Sequence, residues 1–151
     1  MNIKAPLAIA ACSLVLGSCA WIEKLLHPSP SNTNPTAVVC KTKECRVGIT
    51  VAACVITVDI PVLGIARGNR DVDIVWEIFS EGAVFARENP VFFKGDRAAA
   101  ARQFSEPRLL ADKKFRWRDA NSSPGIFEYG ITVVDNGKSC KPLDPTVIND
   151  M

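Results

Sequence analysis

Three segments of the chain alternate apolar and polar residues with a period of two, and this pattern restricts the fold more than any other feature. In Asp71 to Phe79, "DVDIVWEIF", Val72, Ile74, Trp76 and Ile78 fall on one face, with Asp71, Asp73 and Glu77 on the other. In Lys113 to Arg118, "KKFRWR", Phe115 and Trp117 point one way while Lys114, Arg116 and Arg118 point the other. In Ile126 to Val134, "IFEYGITVV", Phe127, Tyr129, Ile131 and Val133 share a face. Successive side chains of a strand point to opposite sides of a sheet, so each segment predicts a half-buried β-strand.

Shorter runs extend the pattern. Val47 to Val51 and Val55 to Val58 are β-branched strand candidates, and Val62 to Ile65 continues them after Asp59-Ile60-Pro61. Proline has no N–H to give a central strand, so an edge strand with a kink is expected there. "AVFA" and "PVFFK" predict short strands split by Asn89-Pro90. "GDRAAAARQF" is the one helical candidate, with Asp96 as its cap and an alanine run that favours helix. "ARGNRD", "DANSSPG" and Asp135-Asn136-Gly137 are turn signals. The tail "CKPLDPTVIND" is expected to lie extended along the sheet. Many short strands separated by turns predict an all-β sandwich with one short helix.

The pattern "CVITVDIPVLGIARG…VDIVWEI" and the late "PGIFEYGITVV" resemble immunoglobulin-like or cupredoxin-like secreted sandwiches. The resemblance implies an immunoglobulin-like antiparallel β-sandwich with Trp76 on a buried strand. A cupredoxin holds copper through two histidines and a cysteine. The only histidine here is His27, in the spacer before the domain, so the copper function does not carry over and no cofactor or metal is expected.

The start of the chain has the shape of a secretory signal. Lys4 is followed by an apolar run from Ala5 to Gly17 and then by the small residues Gly17, Ser18, Cys19 and Ala20. The run is shorter than the roughly 20 apolar residues that a spanning helix needs. Leu16-Gly17-Ser18-Cys19 resembles the lipobox of bacterial lipoproteins, which implies cleavage before Cys19 and a lipid on its sulfur. Ordinary cleavage after Ala20 is the alternative. The residue after the cysteine is not the aspartate that retains such proteins at the inner membrane, so the resemblance implies the outer membrane, facing the periplasm. The expected organisation is a signal peptide (1–18), an anchor segment and linker ending in "PSPSNTNPT" (19–36), and a sandwich domain (37–151).

Two of the six cysteines belong to the leader, and four remain for the domain: Cys40, Cys45, Cys54 and Cys140. An even number suits an oxidising compartment, and three pairings are open. Cys40 and Cys45 enclose a loop short enough to close locally, which would leave Cys54 with Cys140. The rival is a zinc site of four thiolates, for which no C-x-x-C knuckle is present.

No phosphate loop, G-x-S-x-G elbow or H-E-x-x-H motif occurs, and no catalytic residue is expected. A net charge of +2 without a long basic run argues against a nucleic-acid partner. The stripe of Lys114, Arg116 and Arg118 has two readings. It pairs with Asp71, Asp73 and Glu77 if the two strands are neighbours, or it docks on anionic envelope material. The expected function is a non-catalytic, lipid-anchored periplasmic binding or assembly module. It would meet the membrane through the lipid on Cys19 and an envelope protein through the edge near Pro61 or the loops at Asn89-Pro90 and Asn121 to Gly125. The alternative is a small-ligand or glycan-binding domain, which requires exposed aromatics in a cleft; Phe92 and Phe93 are adjacent, so a strand cannot bury both on one face.

Overall fold

The structure, a computed structural model, describes residues 36–151. Cys19, the lipobox and all but the last residue of the linker lie outside the described residues. Along the chain run β1 (Val38–Cys40), β2 (Glu44–Ala52), β3 (Val55–Val58), β4 (Val62–Ile65) and β5 (Val72–Ile78). Then come β6 (Ala83–Phe85), β7 (Val91–Phe93), the helix α1 (Arg97–Gln103), β8 (Phe104–Ala111) and β9 (Lys114–Asp119). The chain ends with β10 (Gly125–Ile131), β11 (Val133–Asp135), β12 (Lys138–Ser139) and β13 (Thr146–Asn149).

The fold is an all-β sandwich. One sheet has the order β3-β2-β5-β9-β8. The other has the order β1-β4-β13-β10-β7, and just past Thr132 its strand β10 gives way to β11, the centre of a small sheet β12-β11-β6. The alternating faces named above line the core. Val72, Ile74, Trp76 and Ile78 of β5 are buried, as are Tyr129, Ile131 and Val133. Trp76 and Tyr129 join the two layers: the indole Nε1 donates to the phenol oxygen at 3.2 Å, and the rings meet edge-on at 5.3 Å. Burying an aromatic of this size contributes roughly 2–3 kcal/mol, and the hydrogen bond removes the cost of enclosing two polar atoms.

The sheets differ in detail from the antiparallel expectation. β2 runs parallel to β5, and β4 runs parallel to both β1 and β13. The chain leaves the first sheet after β3, lays β4 in the second, and returns as β5. Asp59-Ile60-Pro61 is therefore a crossing between layers, not a kink in one edge strand. β4 is central, flanked by β1 and β13. Pro61 is tolerated because it precedes the strand and contributes only its carbonyl, which accepts from Thr146 N at 3.0 Å. The tail does more than lie along the sheet, since β13 is inserted between β4 and β10.

The helix starts where its cap predicts. Asp96 accepts from the N–H groups of Ala98 and Ala99 at 2.9 and 3.0 Å. The Asn136-Gly137 turn closes the β11–β12 hairpin with both residues at positive φ, 48° and 82°.

Candidate functional site

The basic stripe and the acidic stripe face each other. β9 lies beside β5 with Arg118 opposite Asp73 and Lys114 opposite Glu77. Arg118 Nε donates to Asp73 Oδ1 at 3.1 Å, and Arg116 Nη1 reaches Asp73 Oδ2 at 3.4 Å. Arg116 Nη2 also meets Glu106 of β8 at 3.3 Å, and Lys114 Nζ lies 3.6 Å from Glu77. The hydrogen bond to Asp73 raises the pKa of Arg118 further above its ordinary value. Between these charges Val75 is buried although it faces outward, because long charged side chains cover apolar surface with their stems. The result is a lattice of alternating sign. Asp71, expected in the acidic stripe, makes no ion pair among the described residues.

The four domain cysteines form two disulfides. Cys40–Cys45 joins β1 of one sheet to β2 of the other, across five residues of chain. Cys54–Cys140 ties the β2–β3 turn to the end of β12, across 86 residues. By the chain-entropy argument the longer loop contributes about 4–5 kcal/mol and the shorter about 2 kcal/mol. Their sulfurs are bonded to each other, so the four-thiolate zinc alternative does not apply.

The inner end of β9 carries a buried polar knot that the sequence did not announce. Asp119 and Asn121 are fully buried, and Asn149 and Gln103 nearly so. Asp119 Oδ1 accepts from Asn121 N at 2.8 Å and from Asn149 Nδ2 at 3.0 Å. Asn121 donates to the carbonyls of Ala66 and Asn69 and accepts from Asp150 N at 2.9 Å. Gln103, the last residue of α1, is held by Ser122 and Ser123. Burial pushes the Asp119 carboxyl up to about 6, and the bonds from Asn121 and Asn149 only partly oppose this. The 121–125 loop is thus not a free docking loop at its start: Asn121 is a core residue.

The knot anchors α1, and α1 forms one wall of a pocket of about 500 Å³. Strand β7 and residues at the ends of β8 and β9 form the others. Phe93 stacks on Phe104, with ring centroids 3.7 Å apart and planes 18° from parallel. Trp117 meets Phe93 edge-on at 5.6 Å, and its Nε1 donates to the carbonyl of Val91 at 3.0 Å. Asn89 and Arg97 supply the polar side chains of the lining. Arg97 makes no ion pair among the described residues, and it is the only charged residue lining the pocket. Phe92, on the other side of β7, lies over Gly130, where a Cβ would overlap its ring. Both adjacent phenylalanines therefore pack, but only Phe93 has its ring in the aromatic cluster.

The sequence flagged Phe93 and placed Trp117 on an apolar face. It gave no sign of Arg97 or Phe104, because α1 and β8 enter the site only through tertiary packing. No protein-family model matches this chain, and no curated protein is similar enough to it to name a relative.

Proposed function

We propose that the protein is a non-catalytic binding module of the bacterial envelope, held at the outer membrane by a lipid on Cys19 and facing the periplasm. One observation carries this reading. Two disulfides tie the layers of a domain that follows a lipobox-like leader, and such bonds persist in oxidising compartments but are rare in the cytosol. The partner is an envelope protein, to be captured by crosslinking in the native membrane. The stripe of Lys114, Arg116 and Arg118 is a weak choice for its docking surface, since those charges already have carboxylate partners.

The test is the intact mass of the protein purified from its own membrane, with and without reduction. The expected chain begins at Cys19, carries acyl groups, and gains the mass of two hydrogens per disulfide on reduction. A lipid-free chain beginning after Ala20 would instead make this a soluble secreted domain.

A second reading, a small-ligand or glycan-binding domain, is favoured by the aromatic pocket between β7 and α1. The two readings are compatible, since an anchored module can carry a ligand site.

A further inference from the structure

We infer that the pocket between β7 and α1 binds a small ligand consisting of an aromatic or alicyclic group that bears a single anionic substituent, with Arg97 as the anion's partner. This inference rests on the ligand-binding reading and narrows it to one chemical class.

The size is right for a small molecule, since binding pockets commonly enclose about 300–1,000 Å³ and are mostly apolar with a few placed polar groups. The walls are held by contacts of their own. Trp117 is fixed by its bond to Val91, Phe93 by its stack on Phe104, and α1 by Gln103 at its end. A ring entering the pocket therefore meets preordered aromatic surfaces and little side-chain entropy is lost.

The polar side chains of the lining are few for a sugar. A saccharide brings many hydroxyls, each of which needs a partner when it leaves water. The lining offers only Asn89 and Arg97 as polar side chains, and the Trp117 N–H is already used. The same groups favour one anion. Arg97 has no carboxylate partner among the described residues, in contrast to Arg116 and Arg118. The strand edge adds donors. β7 is the last strand of its sheet, and Phe92 is the residue that pairs with Gly130 by hydrogen bonds. Alternation along an antiparallel strand then turns the backbone groups of Val91 and Phe93 toward its open side. The Val91 carbonyl is taken by Trp117, and the N–H groups of Val91 and Phe93, which share the open side with the Phe93 carbonyl, can donate to a carboxylate or similar anion.

The test uses the full-length protein in detergent micelles and three probes: naphthylacetate, its uncharged amide, and diacetylchitobiose. Backbone amide resonances of Phe93 and Ala101 and the indole resonance of Trp117 are followed by NMR titration. Naphthylacetate is expected to shift all three and to bind about fivefold tighter than the amide, the size of one partly exposed charge pair. Arg97→Gln, an exposed change at the start of α1, is expected to reduce the acid's affinity to that of the amide and to leave the amide's unchanged. Equal binding of acid and amide, or no effect of Arg97→Gln, overturns the anion assignment while the ligand-binding reading stands. Tighter binding of diacetylchitobiose at the same resonances replaces the proposed class with a glycan. If none of the probes moves these resonances, both the inference and the ligand-binding reading fail.

Discussion

Strand β9 carries two polar regions that differ mainly in their access to water. Along its length Lys114, Arg116 and Arg118 face outward and pair with Glu77, Asp73 and Glu106. At its end Asp119 turns inward and joins Asn121, Asn149 and Gln103 in a buried knot. Most of the outer groups stay in contact with water, Arg116 least of all, so the pairs at Lys114 and Arg118 gain little and tolerate loss. The inner groups have surrendered water, so each hydrogen bond must be made or its absence is felt in full. In the outer region each of the three basic side chains of β9 meets a carboxylate. The inner region locks the C-terminal strand and the end of α1 in place and so shapes the pocket.

The largest effect is expected where the comparison is most one-sided. Asn121→Ala removes the bonds to Ala66, Asn69 and Asp150 and leaves two partly buried carbonyls without that donor. It also places alanine at φ 43°, a left-handed conformation that asparagine tolerates better. The expected loss is about 3–4 kcal/mol in urea unfolding. A loss no greater than that from an exposed substitution would mean that the knot is not structural.

These two regions also show which parts of the fold were readable beforehand. β5 and β9 could be recognised because their alternation is strict, and opposite charges on their polar faces already suggested that they are neighbours. β8 escaped because it lacks that signal. It is an edge strand containing Pro107, Glu106 has φ 53°, its register slips beside Arg108, and only Phe104 of its residues is buried. The knot escaped for a different reason. Asp119 and Asn121 stand in "RDANSSPG", letters that read as a solvated turn. Their burial depends on Asn149 and Asp150 returning from the far end of the chain, a non-local event that no window of sequence contains. The pocket has the same origin: Arg97, Phe104 and Trp117 come from three elements, and only their packing brings them together. The local disulfide was foreseeable from its short loop, and the long one followed as its remainder.

The next effect separates the regions by pH. The folded-state pKa of Asp119, about 6, lies above its ordinary value of 3.8. Its contribution to stability is therefore fully present below about pH 4 and is lost as pH rises through about 6, by up to about 3 kcal/mol. Asp119→Asn keeps an acceptor for Asn121 and removes the buried charge. Relative to wild type it should gain stability as pH rises from about 4 to 7.5, over this same window. Urea midpoints of both proteins across that range give the difference. A difference that does not change with pH would place the Asp119 carboxylate in contact with water, and the contrast along β9 would shrink.

The smallest effect belongs to the outer lattice. Asp73 is its centre, accepting from Arg116 and Arg118 at once. Asp73→Asn removes the charge but retains an acceptor oxygen, Arg118 remains close to water, and the less exposed Arg116 keeps Glu106 as a partner. Stability should fall by much less than in Asn121→Ala, and the deficit should vanish at about 1 M salt, where exposed pairs are screened within a few ångströms. The effect of Asn121→Ala should be nearly indifferent to the same salt. Urea unfolding of both variants at low and high salt makes the comparison within one protein. A salt-insensitive loss at Asp73 equal to that at Asn121 would show that the Arg116 stem and Val75 beneath it form an extension of the core. The outer face would then be a second structural region whose integrity the domain requires.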